Sequence, residues 1–258
     1  MSVSGDAVMV SAIRANPSLA DRGTELLSRV EYRLMQSAEE REQIYRLRYR
    51  AYLQEGAIAP NASERIEDKF DNLPNSWIFG LHVEGELASS IRISVATPEL
   101  PLTPAVDAFP DYLEPELARG KIIVDPNRFV ADPLRTKRIP ELPYLTVRLG
   151  YVACGHFNAD IGTATVRAEH QAFYRRVFLQ DVWCAPRPYP SLIKPLSLMA
   201  AHYPTVRDKI FRRYPYFRST DEERQRLFGA VAQGTLPMMP PQLEDGALVT
   251  LQPRQPII

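Results

Sequence analysis

The chain of 258 residues balances 31 Lys plus Arg against 31 Asp plus Glu and is 45% hydrophobic and 24% charged. That is an ordinary globular composition, long enough for one large domain or two small ones. Zero net charge argues against nucleic acid as a bulk partner, so any charged partner must meet a local patch. Apolar runs such as 77–83 are strand-length, far short of the ~20 residues of a bilayer span, so no integral membrane segment is expected.

The first thirty positions lack a basic start followed by an apolar block, which argues against a secretory leader. Cys154 and Cys184 have no CxxC spacing and read as two buried thiols in a reducing cytoplasm. His82, His156, His170 and His202 form no HxxxH or HExxH pair, and no GxGxxG or GxxxxGK(S/T) loop occurs. Neither a metal site nor a bound cofactor is signalled. Proline is in excess, 23 in 258 residues where ~5% is usual, so kinked connections and bulged strands are expected.

In chain order, residues 1–30 mix small and polar types and read as a flexible arm. A first strand is expected at 32–35. Ser37 then opens a helix, with Glu40 completing a capping box. Ile44, Leu47 and Ala51 repeat at helical spacing, Arg41, Tyr45, Arg48 and Tyr52 form the opposite face, and Gly56 is the stop. After a polar loop to Asn75, 77–83 and 87–95 form a hairpin around Glu84-Gly85. Within its second strand Ile91, Ile93 and Val95 share one face, and Ser90, Arg92 and Ser94 the other. A Pro-rich excursion at 98–120 holds a short helix, and 121–130 is a strand broken by Pro126. Helix 142–157, strand 161–166, helix 168–179, strand 182–185 and one or two helices in 194–213 follow. Residues 236–258, with five prolines, read as an irregular tail. The expectation is a single domain over 31–235, an α/β (α+β) fold with a mixed twisted sheet flanked by helices.

Charged residues in apolar or strand-like settings are the informative ones. Arg48 lies in Leu47-Arg48-Tyr49-Arg50-Ala51-Tyr52, Asp68 and Asp71 in Glu67-Asp68-Lys69-Phe70-Asp71, and Arg92 inside a hydrophobic strand. Asp125 and Arg128 lie in Val124-Asp125-Pro126-Asn127-Arg128-Phe129. Burying such groups is costly unless they pair, so these residues should meet one another.

Taken together the set resembles that of the acyl-homoserine-lactone (LuxI-type) autoinducer synthases. Arg48 with Tyr52 matches their Arg-x-x-x-Phe, Asp68-x-x-Asp71 their paired aspartates, Arg92 their fourth-strand arginine, and Asp125-x-x-Arg128-Phe129 their Glu-x-x-Arg-Phe. Ile58 stands near where they carry a tryptophan, and Asp125 where they carry glutamate. The chain is more similar to the long-chain N-acyl amino acid synthases of the N-acyltyrosine (FeeM) type. That likeness rests also on Val166-Arg167-Ala168-Glu169-His170, Phe173-Tyr174-Arg175-Arg176-Val177-Phe178 and Pro186-Arg187-Pro188-Tyr189-Pro190, and spans about 32–228.

The resemblance implies a GNAT-like three-layer sandwich whose fourth and fifth strands splay to admit a pantetheine arm. It implies transfer of a long-chain acyl group from an acyl-carrier-protein thioester to the α-amine of an amino acid, with no bound cofactor. A homoserine-lactone synthase using S-adenosylmethionine and a non-catalytic acyl- or carrier-protein-binding module are the alternatives. Asp125, Glu169 and His170 are the base candidates; an aspartate near Arg128 would have its pKa pushed down, which suits positioning better than proton removal. Tyr174 aligns with a tyrosine that protonates the leaving thiolate, or is a core aromatic. Arg48, Tyr52, Asp68, Asp71, Arg92, Arg128 and Phe129 shape the acceptor site, with Arg48 or Arg92 holding a carboxylate, or they brace the N-terminal lobe. A bulge near Asp125 and Pro126 would offer an oxyanion donor. Arg135, Lys137 and Arg138 are the expected carrier-protein contacts, with Arg212, Arg213 and Arg218 a second basic cluster.

Overall fold

The computed structural model describes residues 18–189 and 192–229. Helix α1, Leu19–Leu27, starts at a reciprocal capping box between Ser18 and Asp21. Strand β1, Val30–Leu34, leads into helix α2, Ala38–Gln54, whose Ser37/Glu40 capping box forms as the sequence predicts. Strands β2, Ser76–Val83, and β3, Glu86–Ala96, make the hairpin; Glu84 and Gly85 at its tip both have positive φ. The Pro-rich excursion holds two short helices, α3, Pro104–Ala108, and α4, Pro110–Ala118, each begun by a proline. Strand β4, Ile123–Ala131, is followed by helices α5, Pro133–Arg138, and α6, Leu142–His156. Strand β5, Ile161–Val166, runs through a 3₁₀ turn into helix α7, Gln171–Phe178. Strands β6, Asp181–Arg187, and β7, Leu196–His202, then precede helices α8, Tyr203–Arg213, and α9, Asp221–Phe228.

The seven strands form one sheet in the order β1-β2-β3-β4-β5-β7-β6, with β4 and β5 parallel and the other neighbours antiparallel. Side-chain alternation sorts the core into two faces. Phe79, Leu81, Ile91, Ile93 and Val124 pack with Leu145, Leu149 and Val152 of α6. On the other face Val130 meets Leu47 and Ala51 of α2, and Ile123 meets Ala105 and Val106 of α3. Helices thus cover both faces, giving three layers.

Three expectations need correction. Residues 19–27, placed in the flexible arm, form α1, where Gly23 lies against the Tyr216 ring and Leu26 is buried. The 194–213 segment holds one helix, α8, as expected, but its first part, Leu196–His202, is a strand that was not foreseen. The run Leu-Ser-Leu-Met-Ala-Ala favours a helix by propensity, but β7 sits between β5 and β6 and pairs with both. Finally, Pro126 does not break β4. The β4–β5 pairing consists of Ile123–Ile161 and Val124–Gly162, so β5 has already left β4 where Pro126 offers no N–H. The expected tail, 236–258, lies outside the described residues.

Candidate active site

Beyond Val124 the parallel pair opens, and the gap becomes a cavity of about 750 Å³. Its walls come from the 126–131 segment of β4, Thr165 and Val166 at the end of β5, Tyr52 of α2, and Phe173 and Tyr174 of α7. Tyr189, Leu192 and Leu196 complete one side. On β4 the chain bulges: Ser90 pairs with Val130 and Arg92 with Asn127, so Ile91 alone faces both Arg128 and Phe129. Arg128 takes φ +52° there, the left-handed backbone that a non-glycine residue adopts only under constraint. The bulge falls at Arg128 and Phe129, just past its expected place near Asp125 and Pro126, and it brings both residues into the cavity wall.

Behind this wall the predicted charges do meet. Arg48 Nη1 donates to both Asp71 oxygens at 2.9 Å. Arg92 donates to Asp68 Oδ1 at 2.6 Å, to Asp71 Oδ1 at 2.7 Å and, through Nε, to Asn127 Oδ1 at 2.7 Å. Arg128 donates to Asp68 Oδ2 from Nε at 2.9 Å and Nη2 at 2.7 Å. The backbone N–H of Asp68 closes the set on Asp71 Oδ2 at 2.9 Å. Burial by itself would raise the Asp68 carboxyl, but hydrogen bonds and charge from Arg92 and Arg128 outweigh it and hold it well below the usual carboxylate range. Burial pulls the Arg48 guanidinium down against the opposing Asp71 charge. Among the described residues, Arg48 Nε and Nη2 have no acceptor.

The structure therefore divides the expected substrate-binding set. Tyr52, Arg128 and Phe129 line the cavity. Arg48, Arg92 and Asp71 are fully buried, and with Asp68 they stand outside its lining. An acceptor carboxylate on Arg92 is thus contradicted, because all three edges of its fork are taken. These residues brace the bulge, and Arg128 carries their charge to the cavity.

The base candidates separate too. Asp125 is fully buried outside the cavity lining; its Oδ2 accepts from Ala105 N at 2.9 Å, inside the first turn of α3, and Oδ1 from Thr163 at 3.3 Å. Its pKa is raised rather than lowered, because burial outweighs the Ala105 N–H and the Arg92 charge. Glu169 is exposed, pairs with Arg167 at 3.2 Å and is absent from the lining, with its carboxyl lowered by its own backbone N–H and nearby cations. His170 lines the cavity, and its Nε2 lies 2.7 Å from Arg167 Nη2. A guanidinium only donates, so this nitrogen accepts. Tyr174 also lines the cavity, with its phenol pushed up by burial. At the rim, Lys137 of α5 reaches the lining, Arg138 is exposed, and Arg135 pairs with Glu86. The second basic cluster stands apart, with Arg213 donating to the Arg176 carbonyl at 3.3 Å.

Two residues escaped the sequence reading. Asn127 links Arg92 to β3, also donating to Ser94 Oγ at 3.2 Å. Arg148, fully buried, donates to Glu223 at 2.7 Å, to the Arg218 carbonyl at 2.7 Å and to the Tyr216 carbonyl, tying the C-terminal segment to α6. It is the only Asp, Glu, Lys or Arg in α6, the same signal that drew attention to Arg92.

A mixed sheet that parts between β4 and β5 over a largely apolar cavity, with a bulge on β4, is a GNAT-like fold. The family model described as N-acyl amino acid synthase FeeM matches residues 43–202. The chain belongs to that family and is an N-acyltransferase. The structure of FeeM, an N-acyl amino acid synthase from uncultured soil microbes, superposes with a TM-score of 0.61 at 16% identity, covering 72% of this chain and 98% of that chain. BjaI, a CoA-dependent acyl-homoserine lactone synthase determined with SAM and isopentyl-CoA, has a TM-score of 0.51 at 14% identity, covering 72% and 89% of the two chains. At these identities the likeness shows the fold. No curated protein matches the sequence.

Proposed function

We propose that the chain moves a long-chain fatty acyl group from the phosphopantetheine thioester of an acyl-carrier protein to the α-amine of an amino acid. The observation that carries this reading is the cavity of about 750 Å³ at the parting of β4 and β5, within the size range of small-molecule sites. Val166, Phe173, Leu192 and Leu196 offer an apolar wall to an acyl chain, while Arg128, His170 and Tyr174 offer polar groups to the reacting centre.

The amine must be neutral to attack. Its lone pair forms the C–N bond while the carbonyl π pair moves onto oxygen; collapse restores C=O and breaks C–S. Nitrogen gives up one proton and the departing thiolate takes one. Of the base candidates, His170 is the one in the cavity wall. An incoming ammonium displaces Arg167 from its Nε2 and gives up a proton there, and Arg167 keeps Glu55 at 2.8 Å and Glu169 at 3.2 Å as partners. The Tyr174 phenol, kept protonated by burial, gives its proton to the thiolate and regains one from the nitrogen, which loses its second proton as the amide forms; exposed His170 passes the first to solvent.

The purified chain, palmitoyl-carrier protein and an amino-acid mixture should release free thiol and form an N-acyl amino acid. Product formed with S-adenosylmethionine alone would replace this reading with a lactone synthase. Bound acyl chain without thiol release would replace it with a binding module.

A further inference from the structure

The pairings above leave open which cation holds the acceptor's carboxylate. Arg92 is taken by Asp68, Asp71 and Asn127, and Arg48 lies buried outside the cavity lining. Among the described residues, the Arg and Lys side chains of the lining are Arg128, Lys137 and Arg167. Arg128 puts Nε and Nη2 on one oxygen of Asp68, and Lys137 stands on α5 at the rim. Arg167 directly follows β5, with its side chain only 13% exposed, and it touches the base candidate of the cavity: Nη2 lies 2.7 Å from His170 Nε2.

The turn after β5 fixes this pair. His170 N donates to the Arg167 carbonyl at 3.0 Å, and Gln171 Nε2 donates to Ser197 Oγ of β7 at 2.8 Å. Each Nη of a guanidinium carries two hydrogens. On Nη2, one goes to Glu55 Oε2 at 2.8 Å and the other to His170. Charge is already balanced here. Lys194 donates to the Glu55 carbonyl at 3.1 Å and its charge reaches Glu169, so Arg167 and Lys194 offset Glu55 and Glu169. A balanced set takes up a zwitterion without gaining net charge, whereas a plain amine or a plain carboxylate leaves one charge uncompensated.

An α-amino acid carries its ammonium and carboxylate on one carbon, a donor beside an acceptor, and Arg167 with His170 presents the complementary pair. We propose that Arg167 is the specificity-determining residue for the acceptor. A zwitterion inserts into the Arg167–His170 contact, its ammonium donating to His170 Nε2 and its carboxylate accepting the Nη2 N–H that His170 releases. The exchange makes two charge-assisted hydrogen bonds where one hydrogen bond is lost. It sets the amine on its base before attack and leaves Glu55 and Glu169 on Arg167. The substrate class is a free α-amino acid rather than its ester, its amide or a simple amine. The assignment rests on the acyl-transfer reading above.

The test supplies full-length wild type, Arg167→Gln and Arg167→Lys with palmitoyl-carrier protein and an equimolar mixture of amino acids, or the same mixture as α-carboxamides. Wild type acylates the acids in preference. Arg167→Gln raises KM for the most readily acylated acid on the order of 10- to 100-fold, as losing a hydrogen bond to a charged group does. Its rate with the matching carboxamide, its KM for the donor and its melting temperature stay at wild-type values, because ion pairs to exposed carboxylates add little stability. Arg167→Lys, which keeps the charge, falls between the two. The assignment is overturned if Arg167→Gln keeps the preference for acids, or slows acids and carboxamides alike as a residue that only orients His170 would. A wild type that acylates neither mixture overturns the acyl-transfer reading and the Arg167 role with it. An active wild type indifferent to the carboxylate overturns the Arg167 role alone, whether or not the variants fold.

Discussion

Arg92 shows how one buried cation sets the site without touching the cavity. It spends its fork on Asp68, Asp71 and Asn127, and those contacts tie the loop after α2 to the bulge of β4. Arg92→Lys keeps the charge but loses the planar fork. It should cost about 3 kcal/mol or more and lower the melting temperature, with the acceptor KM of the folded fraction unchanged; a raised acceptor KM at wild-type stability would return Arg92 to substrate contact. Asp68 gives the pH dependence. Its folded pKa lies below the unfolded value of ~3.9, so its contribution is present above that value and is lost as pH falls through the folded pKa. Thermal melts of Asp68→Asn should therefore show a large deficit against wild type at pH 7 that shrinks towards pH 2. A constant deficit would mean that Asp68 ionisation is not what holds the network. That these charges belong together was legible because an Arg or Asp in an apolar stretch needs a partner. Which of them reaches substrate was not. Alternation places Arg92 and Arg128 relative to the sheet plane, but the β4 bulge, a register shift between distant segments, decides that Arg128 lines the cavity.

Among elements, the contact of α6 with β4 sets how the cavity is framed. Gly150 of α6 is there because a Cβ would come within 2.6 Å of Pro126 Cγ, and neither a proline ring nor a helix backbone gives way easily. Gly150→Ala should push α6 off the base of the parted strands, costing about 1–3 kcal/mol of stability and reducing acyl transfer. A variant of wild-type melting temperature would show that the contact relaxes freely. The β2–β3 hairpin was readable from the alternation of Ile91, Ile93 and Val95 with Ser90, Arg92 and Ser94 in its second strand and from its Glu84-Gly85 tip, whereas β7 was not. Its Leu198 and Ala200 meet one apolar cluster and Met199 another, so burial on both faces removes the period-2 signal that marks a half-exposed strand. α1 was hidden for another reason: its core contact is small, Gly23 against Tyr216 and Leu26, within a largely polar segment.

At the scale of the whole molecule, charge neutrality covers an internal Arg/Asp cluster and an external basic rim. Lys137 and Arg138 lie in the last turn of α5, with Lys137 in the cavity lining; on the proposed reading an acidic carrier protein presents its pantetheine there. The double variant Lys137→Glu/Arg138→Glu should raise KM for acyl-carrier protein at low salt, with the difference from wild type fading as salt screens both. An unchanged KM at low salt would move the docking surface elsewhere. The central claim, that the cavity joins a long acyl chain to an amino acid, is tested most directly by mass spectrometry of lipid extracts from cells overproducing the chain. The account predicts long-chain N-acyl amino acids that are absent from cells making the His170→Gln, Tyr174→Phe double variant. Acyl-homoserine lactones in their place, or extracts identical to those of the double variant, would contradict it.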